Sequence, residues 1–280
     1  MAEKRILIVT DTHYCHFDWY GVSADERMER LIRDINAEYE RDPFEMILFL
    51  GDYSLDHWKW QIQGSWLKEG KSYTDLFVKN YLDGALPTPY YMIAGNHEQY
   101  GHEKWKEITG CERQFYVTMD DYLFLMLDSY GANLDPTEHS DGTYSPMDVE
   151  WVKSVMEANP DKKVIVLTHY FDESKESDEA KAIIADERVI CVFAGHTHRA
   201  NIVTLSEACG SKKMIFAGNY SYCGSGSDPD PGEYLWGFRD LYLGEHVAVS
   251  KYIIPANDVV IKGVEKSVEY HCIEDIKIEY

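Results

Sequence analysis

The stretch VICVFAGHTH, Val189 to His198, decides the fold. Its apolar, β-branched and aromatic run reads as a buried strand rather than a short helix. Gly195 permits a sharp exit at the strand end, where a side chain would obstruct. His196 and His198 leave that end two positions apart, so in extended backbone both imidazoles point to one side. Two neutral imidazoles aimed at one spot suit a transition metal.

The same plan recurs four times. Ile6–Thr10 runs into Asp11-Thr12-His13, Met46–Leu50 into Gly51-Asp52, Tyr91–Ala94 into Gly95-Asn96-His97-Glu98, and Val164–Thr168 into His169. In open α/β sheets, sites form outside the carboxyl ends of the strands. All five ends are therefore expected to meet. Helices are expected at Ala24–Glu40, with Ser23 as cap and Met28, Leu31, Ile32 and Ile35 on one face, and at Thr74–Leu82, His102–Thr109, Pro146–Ala158 and Glu176–Ala185. Gln114–Met119 and Tyr122–Leu127 read as a hairpin. Further strands are expected at Asn201–Leu205, Lys213–Ala217, Tyr234–Leu243 and His246–Ile254, and the alternating tail after Ala256 adds an edge strand. Early βαβ units followed by strand-rich sequence suggest two packed sheets with helices outside.

The 280 residues fit one domain, 1–280, with no internal repeat or dividing linker. Two segments, 53–71 (rich in tryptophan) and 129–145, read as insertions at the rim of the site, and the C-terminal part as a strand-rich extension. A net charge of −22 argues against a general nucleic-acid binder, because phosphate backbones are gripped by lysine and arginine. It leaves room for a small phosphorylated substrate, since bound metal ions dominate a local field. The six cysteines show no metal-type spacing, and no apolar run is long enough for a leader or a membrane span, so a soluble cytoplasmic protein is expected.

Asp11, His13, Asp52, Asn96, His169, His196 and His198 are too many ligands for one ion and suit two. Mixed nitrogen and oxygen ligation without cysteine favours Mn, Fe, Zn, Co or Ni. Two such ions lower the pKa of a shared water and clamp both oxygens of an in-line displacement.

DTH, GD, GNHE, a strand-end histidine and GHTH, in that order over residues 11–198, resemble the calcineurin-like metallophosphoesterases. The resemblance implies a four-layer αββα sandwich of two mixed sheets and a dinuclear site. Asp11, His13, Asp52 and His198 would hold one ion; Asp52 as bridge, Asn96, His169 and His196 the other. A metal-bridging hydroxide would attack phosphorus, with His97 as general acid or transition-state donor. The family often shows G-D-x-x-D, whose second aspartate orients that histidine. Here Leu55 takes the place and Asp56 follows one residue late, so Asp56 or Glu98 is expected to orient His97. Ala94 before GNHE, and no arginine close after Asp52, depart from the phosphoprotein phosphatases; His13 stands where purple acid phosphatases have glycine.

The expected activity is hydrolysis of a small phosphodiester or phosphomonoester. A nuclease, a protein phosphatase or a catalytically silent scaffold is the alternative. His16 and Arg199 are expected as substrate contacts, a plain surface salt bridge being the other reading of Arg199.

Overall fold

The computed structural model describes residues 3–58, 71–134, 141–222 and 236–280. Two six-stranded sheets face each other. The first has the order β14(His271–Glu279), β11(Val247–Ile254), β10(Phe238–Leu243), β1(Lys4–Val9), β2(Met46–Phe49), β3(Tyr90–Met92). The second runs β4(Phe115–Met119), β5(Tyr122–Leu127), β6(Lys163–Thr168), β7(Val189–Ala194), β9(Lys213–Phe216), β8(Ile202–Thr204). Strands β1, β2 and β3 are mutually parallel, as are β5, β6, β7 and β9. Their carboxyl ends therefore open on one side of each sheet.

The period-2 alternation of strand side chains assigns the layers. Ile6 and Ile8 of β1 enter the core between the sheets, with Leu48, Phe124, Met126, Ile165, Leu167 and Phe193. Leu7 and Val9 point the other way, onto α1(Ala24–Arg41), α2(Tyr73–Phe77) and α3(His102–Thr109). Leu123, Leu125, Val164, Val166 and Val192 cover the outer face of the second sheet under α4(Val149–Ala158) and α5(Asp178–Ala185). The architecture is the expected αββα sandwich.

Helix α1 begins as expected, with Ser23 Oγ accepting from the Glu26 N–H. Helices α4 and α5 start later than Pro146 and Glu176, because Asp148 and Ser177 cap them through the N–H groups of Trp151 and Ala180. The tail supplies more than an edge strand. It forms a hairpin, β12(Asn257–Ile261) with β13(Val264–Val268), and then β14 on the edge of the first sheet. Of the expected rim features, Trp60, Trp66 and His139 lie outside the described residues, as does the start of the strand expected from Tyr234.

Candidate metal centre

The five strand ends do meet. Asp11 and His13 follow β1, Asp52 follows β2, Asn96 and His97 follow β3, His169 follows β6, and His196 and His198 follow β7. Two glycines allow this crowding. A Cβ on Gly95 would collide with Asp52 Oδ1, and one on Gly195 with Thr10 Oγ1 and Asp11 Oδ2. Backbone strain concentrates here as well. Asp11 (φ 52°), His13 (42°), Asp52 (55°), His196 (68°) and His198 (56°) all adopt the left-handed region that side chains disfavour. These turns swing the side chains off the strand axes into a shared centre.

Two groups of acceptor atoms converge. In the first, Asp11 Oδ1 lies 3.1 Å from His198 Nε2 and 3.6 Å from His13 Nε2, the two ring nitrogens are 3.1 Å apart, and Asp52 Oδ2 is 3.7 Å from His13 Nε2. In the second, Asn96 Oδ1 lies 3.0 Å from His169 Nε2 and 2.9 Å from His196 Nδ1, with Asp52 Oδ2 3.3 Å from His169 Nε2. Asp52 Oδ2 thus borders both groups. Metal–ligand bonds of about 2.0–2.2 Å put neighbouring donors about 3 Å apart, the spacing seen here.

The surrounding hydrogen bonds fix which atoms are lone pairs. His169 Nδ1 donates to the Leu50 carbonyl (2.7 Å) and His198 Nδ1 to the Tyr222 carbonyl (3.0 Å). In the neutral rings both Nε2 atoms therefore face the centre unprotonated. Each carboxylate likewise spends one oxygen on the fold. Asp11 Oδ2 accepts from the His196 N–H and the Thr10 hydroxyl, and Asp52 Oδ1 from the His97 N–H. Among the described residues, Asp11 Oδ1 is buried with no hydrogen-bond donor. A buried acceptor without a donor is costly, and a cation removes the cost. The donor set fits two divalent ions.

Electrostatics agree. Burial opposes ionisation of Asp52, but His169 and His97 hold its pKa well below the usual carboxylate range. Burial lowers His169, yet Asp52 and then Asp11 push its pKa up to about 9, a proton doing what a cation would do. Burial pushes His97 down to about 3 and His196 to about 4.

The calcineurin-like phosphoesterase family model matches residues 4–200. The chain belongs to that family. No curated protein matches the sequence. Among solved structures, a purple acid phosphatase from yellow lupin (Lupinus luteus) seeds shares the fold at 12% identity and a TM-score of 0.52, over 98% of this chain and 54% of the other. This chain thus spans about half the length of that enzyme. GAP50, described as the anchor in the inner membrane complex of Plasmodium, matches at 13% identity and a TM-score of 0.54, over 97% of this chain and 89% of its own. Membership of the calcineurin-like phosphoesterases supports metal-dependent phosphoester hydrolysis in general. Among the described residues, no helix is long and apolar enough to cross a membrane.

The structure also corrects the expected surroundings of this site. Neither Asp56 nor Glu98 orients His97. Asp56 accepts from the N–H groups of Tyr73 and Thr74 and the hydroxyls of Ser72 and Tyr100, so it caps α2. Glu98 accepts from the N–H groups of Asp52, Tyr53, Ser54 and Gly95, which locks the GD turn to the GNHE turn. Burial, then the Asp52 charge, push its pKa up to about 8 against the pull of these amides. His97 Nδ1 has no hydrogen-bond partner among the described residues; its Nε2 lies 3.4 Å from Asn96 Nδ2, and the ring sits 5.3 Å from that of His13.

A cleft of about 520 Å³ opens over Asp52, Asn96, His97, His196 and His198. His16 and Arg199 are exposed and do not line it. His16 packs on Phe17 instead, with ring centroids 4.2 Å apart. Tyr130 and Tyr144, from the segment 129–145 expected at the rim, line the cleft, with Tyr170, Lys175 and Tyr222, which the sequence did not single out. They come from loops, and no spacing rule brings them together.

Proposed function

We propose that the chain hydrolyses a small phosphate ester at this cleft. One observation carries the reading: seven ligand side chains from five strand ends present their acceptor atoms inward, and Asp11 Oδ1 is buried without a donor among the described residues. Asp11, His13, Asp52 and His198 would hold one divalent ion, and Asp52, Asn96, His169 and His196 a second. When bound, the ions supply positive charge to the phosphate oxygens and an activated water. Hydrolysis forms one P–O bond to water and breaks the P–O bond to the alcohol. His97 lines the cleft, and its part is to stabilise the departing oxygen, which takes up the proton released by the attacking water as the alcohol leaves. Glu98 and the strained turns keep the ligands in place before substrate arrives. The formal charge of −22 keeps a nuclease activity in second place.

The test is a panel of aryl mono- and diesters with Mn, Ni, Zn and Fe supplied in turn. Hydrolysis that EDTA abolishes, and that Asp52→Asn and His196→Ala both remove, is the expected result. Full, chelator-insensitive turnover in both variants would contradict it.

A further inference from the structure

The cleft has a feature that ester hydrolysis alone does not require. Three tyrosines from the loops after β5 and β6 form a corner beside His196. The Tyr170 ring lies 4.6 Å from the His196 ring, centroid to centroid. Tyr144 meets Tyr170 edge-on at 5.8 Å and 80°. Tyr130 meets Tyr144 edge-on at 6.2 Å and 87°. The corner is held rigidly. The Tyr144 hydroxyl donates to Glu176 and accepts from the Asp172 N–H, and Ser129 Oγ accepts from the Tyr170 N–H. Lys175 stands at its edge, with Nζ 5.4 Å over the Tyr144 ring and 3.3 Å from Asp172.

We propose that this corner binds a flat, unsaturated ring on the arm of a phosphodiester that stays on phosphorus, so that the esters taken are those whose retained group bears a ring. The inference rests on the phosphoesterase reading and narrows its substrate class. Two tyrosine faces at right angles let one ring stack on the first while its edge meets the second, the arrangement aromatic pairs prefer. The corner and the ligand histidine are in contact, so a ring seated there leaves its phosphate over the ligand cluster. Lys175 is the one Lys or Arg side chain among the described residues lining the cleft, and Asp141 lines it too. The neutral aromatic wall, rather than a cluster of cations, is therefore what can grip the group beyond the phosphorus.

The test compares bis(p-nitrophenyl) phosphate with methyl p-nitrophenyl phosphate, which share a leaving group but differ in the second arm. Wild type is expected to favour the bis-aryl ester in KM. Tyr170→Leu is expected to lower kcat/KM for that ester about tenfold, through KM, and to leave the methyl ester nearly unchanged. Tyr170→Phe, which keeps the ring, is expected to retain the preference. Equal losses on both esters in Tyr170→Leu would overturn the proposal, since a disturbed His196 would affect both alike. So would equal KM values in wild type. If neither ester is hydrolysed with any metal, it is the underlying phosphoesterase reading that fails.

Discussion

Two sets of buried charges in this molecule are satisfied in opposite ways. Arg239 on β10 is fully buried, and its guanidinium donates to both oxygens of Asp275 at 2.8 Å and to the carbonyls of Phe216 and Ala200. Arg113 does the same with Asp128, at 2.7 and 3.0 Å, and with the carbonyls of Glu98 and Tyr100. In these latches the cation is part of the chain. At the strand ends, Asp11 and Asp52 are buried, and each turns one oxygen toward lone pairs of imidazole and amide instead of guanidinium. Carboxylates paired with a cation of the chain make structure. Buried carboxylate oxygens that face only lone pairs make a place for a cation that comes and goes.

The largest expected effect breaks the open set. Asp52→Asn should lower kcat/KM on the preferred ester roughly a thousandfold, a typical loss for a group that stabilises transition-state charge. Its metal-free melting temperature should fall as well, because the His169 proton then loses the Asp52 charge 3.3 Å away. Steady-state kinetics beside calorimetry of the chelated protein reads both halves. A closed latch should lose stability alone. Arg239→Met should cost about 1–3 kcal/mol in urea unfolding by leaving the carbonyls of Phe216 and Ala200 without their donor, while the activity of each folded molecule stays near wild type.

An intermediate case is Arg5 with Asp240, 2.5 Å apart on neighbouring strands. Here burial outweighs the guanidinium and pushes the Asp240 pKa up to about 6. A carboxyl whose folded pKa lies above its unfolded value favours the folded state most at low pH, and that stability is lost as pH rises through the folded value. The wild type should therefore lose about 2 kcal/mol between pH 4 and 6 from this group, and Asp240→Asn should flatten that slope. Urea midpoints across the window check it.

A further effect distinguishes the two sets by metal alone. At a hundredfold excess over Kd, each divalent ion bound should raise unfolding free energy by about 2.7 kcal/mol. EDTA should remove that gain in wild type and in Arg239→Met, and no more than half of it in Asp52→Asn.

The same contrast explains what the sequence disclosed. Strand-end ligands are legible because β-branched runs, glycine exits and the residues after them are contiguous in the chain. The layers are legible because strands alternate with period 2. The capping roles of Asp148 and Ser177 were visible as residue types but displaced by nearby Pro146 and Glu176, which look like helix starts. His16 and Arg199 were expected as substrate contacts, and both are exposed and outside the cleft lining. Asp56 misled because a helix N-terminus claims it first. Of the tyrosine corner, Tyr130 and Tyr144 fall in the segment 129–145 that reads as a rim, whereas Tyr170 and Lys175 were hidden, since the loop path after β6 depends on contacts such as Tyr170 with Ser129 that no local pattern encodes.

The direct measurement is metal stoichiometry. Calorimetric titration of chelated, buffer-exchanged protein with Mn²⁺ should give two ions per wild-type chain and no more than one in Asp52→Asn. Failure of the wild type to bind, or the same binding in the variant, would contradict a centre built around a shared Asp52.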